Sequence, residues 1–166
     1  MTYNSIAEFI VALNNAKNNI VQGSKYGINP SINKMMDAVS KRVGQTGKDS
    51  DGGSFSVYSE SYKKRKTRYG KTPYGKTINF KNFNYTGSFM NDITVIDIEE
   101  TPTSVHKSVG FVGSTSNGRN ILTHQNLYQK LSGDENKEII KPNTKEELIL
   151  VAGIERSIYN YLIKVL

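Results

Sequence analysis

The chain has 166 residues, 36% of them hydrophobic, no cysteine and a formal net charge of +7. That size suits one domain with a thin core, and the lack of cysteine excludes disulfides and Cys-based zinc sites. No apolar run approaches the ~20 residues that cross a bilayer, and the opening MTYNSIAEFIVALNN lacks the basic start of a secretory leader. A soluble chain with no membrane partner is expected.

The first predicted element is a helix over residues 5–21. Ser5-Ile6-Ala7-Glu8 has the spacing of a capping box, and Ile6, Phe9, Ile10, Leu13, Ala16 and Ile20 recur every three or four residues. Gly23 and Gly27 are expected to interrupt it. A second helix is predicted over 31–43, opened by Pro30, with Ile32, Met35, Met36, Val39 and Val43 on its apolar face. The two methionines read as core filling. Gly44 and Gly47 end this helix.

A polar, Tyr-rich loop region is expected from 44 to 85. Its Asp49-Ser50-Asp51 imitates a calcium loop, but Gly53 stands at a ligand position and Ser54 where glycine is required. A tight Asx/Gly turn fits better. A short helix capped by Ser59 is predicted to Arg68, then turn residues to Gly75 and an extended aromatic run to Tyr85.

An antiparallel hairpin is predicted next, with strands 93–98 and 105–112 joined across Pro102. A second polar loop region covers 113–136. Within it Gly113–Asn120 mimics a P-loop, with Arg119 and Asn120 where Lys and Ser/Thr would be needed. Residues 139–142 read as extended because Lys141 precedes proline. The last helix is predicted from Asn143 to Leu166, its capping box read as Thr144-Lys145-Glu146-Glu147. Gly153 stands out as its weak point, at ~1 kcal/mol relative to alanine. The expected fold class is α+β. A small antiparallel sheet, made of the central hairpin and a neighbouring strand, packs against N-terminal helices and a long C-terminal helix.

Charge is distributed unevenly. Lys63, Lys64, Arg65, Lys66, Arg68, Lys71 and Lys76 follow one another without an acid, whereas Asp92, Asp97, Glu99 and Glu100 fall in a stretch without a base. Tyr58, Tyr62, Tyr69 and Tyr74 interleave with the basic run. Cations tracking phosphates and rings stacking on bases form one reading of that pattern. A charge contact with an acidic neighbouring subunit is the other. His106 and His124 lack a nucleophile or metal-ligand partner at useful spacing, so no catalytic residue, cofactor or metal is assigned.

The succession of segments resembles the virion morphogenesis proteins of tailed bacteriophages, the tail-completion or neck proteins typified by the Mu G-like family. The motifs are Asp51-Gly52, the Tyr–basic segment Tyr58–Lys66, and the strand opener Tyr85-Thr86-Gly87-Ser88-Phe89-Met90. The hairpin, His124-Gln125, Gly133, Ile139–Pro142 and Thr144-Lys145-Glu146-Glu147 follow in order. The likeness covers residues 30–166, and the chain departs from it in lacking a Pro-Ala-Arg-Pro run before the last helix. It implies a non-enzymatic structural protein, assembled in the host cytoplasm into the virion. There it would form a homo-oligomeric ring in the head–tail connector, beside other connector, neck and tail proteins and packaged DNA. On this reading Tyr58, Tyr62, Lys63, Lys64, Arg65, Lys66 and Arg68 are contact residues, and Asp97, Glu99 and Glu100 are complementary charges. The alternative expectation is a nucleic-acid-binding protein that uses residues 58–76.

Overall fold

The computed structural model describes residues 5–69, 78–80, 93–101, 104–111 and 141–163. Helix α1 runs from Ile6 to Lys41 and continues as a π-turn, Arg42–Thr46; α2 is Glu60–Tyr69, and α3 is Thr144–Leu162. Strands β1 (Ile93–Glu100) and β2 (Val105–Phe111) form a two-stranded sheet. Their short connection makes the pair antiparallel, and it is tied by the Thr101 amide donating to the Ser104 carbonyl at 2.9 Å.

The expected α+β class does not hold: the fold is dominated by helix. Among the described residues β1 and β2 pair only with each other, and no neighbouring strand joins them. A two-stranded ribbon is marginal by itself and depends on packing against a helix. The predicted turn at 70–75, most of the extended run to 85, the loop region 113–136 with His124, and residues 139–140 lie outside the described residues.

A second correction concerns α1. The predicted break between two helices does not exist, and Gly23, Gly27 and Pro30 all lie inside one 36-residue helix. The glycines are there for contact with α3. A Cβ placed on Gly23 would stand 2.7 Å from the Ile158 Cα, and one on Gly27 would meet the Ser157 side chain. Four residues further along, Ser31 occupies the space that a side chain at Gly153 would need. Positions 23, 27 and 31 therefore meet 158, 157 and 153 in reverse order, which makes the two helices antiparallel. Small residues every fourth position let the backbones approach closely. The seam is also hydrogen-bonded, with the Ser157 hydroxyl donating to the Gly23 carbonyl at 2.7 Å. Gly153 is thus not a weak point but a requirement of packing.

This packing offsets two local costs. Proline in a helix interior costs ~3 kcal/mol and glycine ~1 kcal/mol relative to alanine. It also reverses the usual effect of Gly→Ala substitution. We expect Gly23→Ala to lower stability by ~1–3 kcal/mol, as overpacking does, although alanine is the better helix former. An equal or higher midpoint of urea unfolding would disprove the close seam.

Contacts divide the chain into two compact units. One comprises Met1–Met35, Val95–Ser108 and Glu147–Leu166, the other Met36–Thr94 and Val109–Glu146. The first contains the α1–α3 seam. The second has a small core of Val39, Val43 and Phe55, with Met36 packed against it. Met35 is buried, in keeping with its reading as core. No helix among the described residues is long and apolar enough to cross a membrane.

Candidate interaction surface around the basic helix

The second unit carries the basic helix, and its framework begins at the end of α1. Gly47 closes the π-turn with φ +63°, a left-handed conformation suited to glycine. A Cβ there would also collide with the Phe80 ring. The chain then turns back on itself. The Asp49 carboxylate accepts from the amides of Asp51 (3.1 Å) and Gly53 (2.6 Å), while Gly52 takes φ +85°. Lys48 and Ser54 bridge across the turn, and Phe55 donates its amide to the Gly47 carbonyl at 2.8 Å. The carboxylate that imitates a calcium ligand therefore satisfies backbone donors, as an Asx turn requires.

Arg42 binds this turn to the start of α3. Its Nε donates to Glu146 Oε1 at 2.8 Å, one terminal nitrogen to the Lys48 carbonyl at 2.8 Å and the other to the Lys141 carbonyl at 2.9 Å. Glu146 Oε2 in turn accepts from the Asn143 amide at 2.8 Å, and Asn143 Oδ1 accepts from the Glu146 amide at 3.0 Å. This is a capping box with Asn143 as the cap, one residue earlier than the Thr144 box expected from the sequence. Arg42 was not a predicted site residue. Its only sequence signal is a charge inside the apolar stripe that runs from Val39 to Val43.

Helix α2 follows Tyr58. The predicted Ser59 cap is present: the Tyr62 amide lies 3.4 Å from the Ser59 hydroxyl, and Lys63 donates its amide to the Ser59 carbonyl at 2.9 Å. Tyr58, Tyr62 and Lys66 recur at four-residue spacing and meet. The two rings lie 4.9 Å apart, and the Lys66 ammonium stands 4.9 Å from the Tyr58 ring centre. Lys66 is wholly buried, with 0% exposure. Burial lowers its pKa from the usual 10.5 to about 8. A buried ammonium over an aromatic face gains cation–π attraction but loses its hydration.

The predicted contact set is thereby divided. Lys64, Arg65 and Arg68 are exposed, with the Arg68 guanidinium 5.3 Å from the Tyr69 ring centre. Lys63 is half-buried and paired with Glu60 at 2.6 Å. Tyr58 and Tyr62 are half-buried supports behind the charged face. Lys66 is corrected from a contact residue to an interior one, because its position on the helix points it at Tyr58. Lys71 and Lys76 lie outside the described residues. Of the proposed complementary acids, Glu99 is exposed on β1, while Asp97 and Glu100 are placed there by their backbone only. His106 is exposed on β2. Among the described residues no group of three His, Asp or Glu side chains is arranged to hold a metal ion.

The surface is thus a short helix, capped by Ser59, that presents Lys64, Arg65 and Arg68 to solvent beside the Tyr58 and Tyr62 rings. No family model matches the chain, and neither a curated protein nor a solved structure resembles it at a significant level.

Proposed function

We propose that the chain is a structural, non-enzymatic virion protein of a tailed phage that forms an oligomeric ring in the head–tail connector or neck. The observation that carries this reading is the ordered succession of motifs from Asp51-Gly52 to the α3 cap. Its partners are further copies of itself and the adjoining connector, neck and tail proteins. Lys64, Arg65 and Arg68 grip an acidic neighbour or packaged DNA, and Glu99 belongs to the complementary surface. Electron microscopy of the purified protein with and without its connector tests this. Rings that join the connector support the reading; a chain that never enters the particle defeats it.

A second reading, a stand-alone nucleic-acid-binding protein, is favoured by the same exposed cations. Three phosphate contacts predict that log K falls with log salt at a slope of about −3, since each contact contributes about −0.9 on duplex DNA. We expect a DNA titration between 50 and 200 mM salt to show that slope, at roughly that order, if a monomer of the chain binds DNA through α2. Salt-insensitive or undetectable binding leaves the ring reading as the account of α2.

A further inference from the structure

The apolar face of α1 does not end where α3 stops covering it. Gly23, Gly27 and Ser31 pack on α3, and the same helical face continues N-terminally through Ile20, Leu13, Phe9 and Ile6. These side chains are exposed, Ile6 by 80% and Leu13 by 53%. Residues 6–20 extend about 20 Å at the rise of an α-helix. An amphipathic helix of that length is marginal by itself and takes most of its stability from a packed face.

Helix α3 also has two apolar faces. One meets α1 through Gly153, Ser157 and Ile158. The other, turned away at helical spacing, carries Leu148, Val151 and Tyr159, exposed by 60%, 47% and 63%. Each uncovered face has one charge near its middle: Lys17 on α1 and Glu155 on α3. Both are exposed, and neither has an ion-pair partner among the described residues.

We propose that these faces are the two halves of one contact. The N-terminal stripe of α1 in one copy docks on the outer face of α3 in the next, with Lys17 set against Glu155. The contact is heterologous: the surface each copy offers differs from the surface it receives, so it propagates from copy to copy and makes a ring where the rotation between copies closes. Continuity with the α1–α3 seam supports a helix as the occupant. Opposite charges within otherwise apolar faces support a second copy of this chain. An α1–α1 pairing would bring Lys17 against Lys17, and an α3–α3 pairing Glu155 against Glu155, both unfavourable. The proposal rests on the assembly reading for why copies join, and it names where they join.

The test uses the full chain and sedimentation velocity. Wild type is expected to assemble with concentration, whereas Lys17→Glu and Glu155→Lys alone remain monomeric. Mixed one to one, these two variants regain opposite charge at every contact and assemble. Leu13→Asp and Val151→Asp are each monomeric, and their mixture stops at a heterodimer because only one contact survives. Far-UV circular dichroism confirms that each variant keeps its helices. Assembly of Leu13→Asp at wild-type concentrations, a mixture of charge variants that stays monomeric, or a wild type that remains monomeric at high concentration overturns the proposal. Binding of the wild-type chain to the connector tests the neck reading separately, so that reading survives or fails independently of this contact.

Discussion

Replacing Arg42 with alanine is expected to cost ~3–5 kcal/mol of stability, the range for removing one partner of a buried ion pair. The side chain is only 11% exposed and its partner Glu146 6%. Arg42→Ala takes the only cation paired with the Glu146 carboxylate among the described residues and removes the donor shared by the Lys48 and Lys141 carbonyls. Arg42→Lys falls in between, because one ammonium cannot reproduce a planar fork pointing in three directions. Adding Glu146→Gln to Arg42→Ala returns part of the loss by neutralising the stranded charge. Urea unfolding of the three variants with unchanged slope measures these differences. A loss below ~1 kcal/mol for Arg42→Ala, the scale of a surface pair, would show that the network contributes nothing beyond one.

The second large effect depends on pH and belongs to Lys66. Its pKa is about 8 in the folded chain against 10.5 ordinarily. Between those values the unfolded chain holds a proton that the folded chain has released. Stability therefore rises as pH climbs from 8 to 10.5 and levels off above. Below 8 the whole cost is present, on the order of 3 kcal/mol. Lys66→Met, which keeps an unbranched stem without the charge, is expected to be more stable than wild type near pH 7. That advantage shrinks by about the same 3 kcal/mol towards pH 10.5. A difference that stays constant from pH 7 to 10.5 would mean that the ammonium is hydrated, and Lys66 would return to the contact surface.

Both effects come from residues whose importance was not legible from their neighbours in the chain. Arg42 reads as one cation within an apolar stripe, and its three acceptors lie 6, 99 and 104 residues away. Lys66 reads as one of a run of seven charges, and only the angle at which α2 is supported by Tyr58 separates it from Lys64 and Arg65. By contrast, the Ser59 cap and the turn on Asp49 were legible, because each depends on residues within five positions. The same distinction explains the α3 cap. Asn143 and Thr144 both suit the role, and the Arg42–Glu146 bond selects the register in which Glu146 is the third helical residue.

What the sequence by itself determined is local. It placed helical periodicity over 5–21, 31–43, 59–68 and 143–166, two β-branched runs at 93–98 and 105–112, the caps at Ser5 and Ser59, and the separation of basic from acidic segments. Propensity, capping and side-chain period act over a few residues, so they can be read in order along the chain. The tertiary structure decided everything that depended on distant partners. It joined two predicted helices into α1, because α3 needs Gly23 and Gly27 at the point of closest approach. It reduced the expected sheet to one ribbon and gave the packing to helices. It moved Lys66 to the interior and made Arg42 the tie between α1, the Asp49 turn and α3. A glycine reads the same along the chain whether it breaks a helix or admits a neighbouring one, and only the neighbour's backbone distinguishes the two.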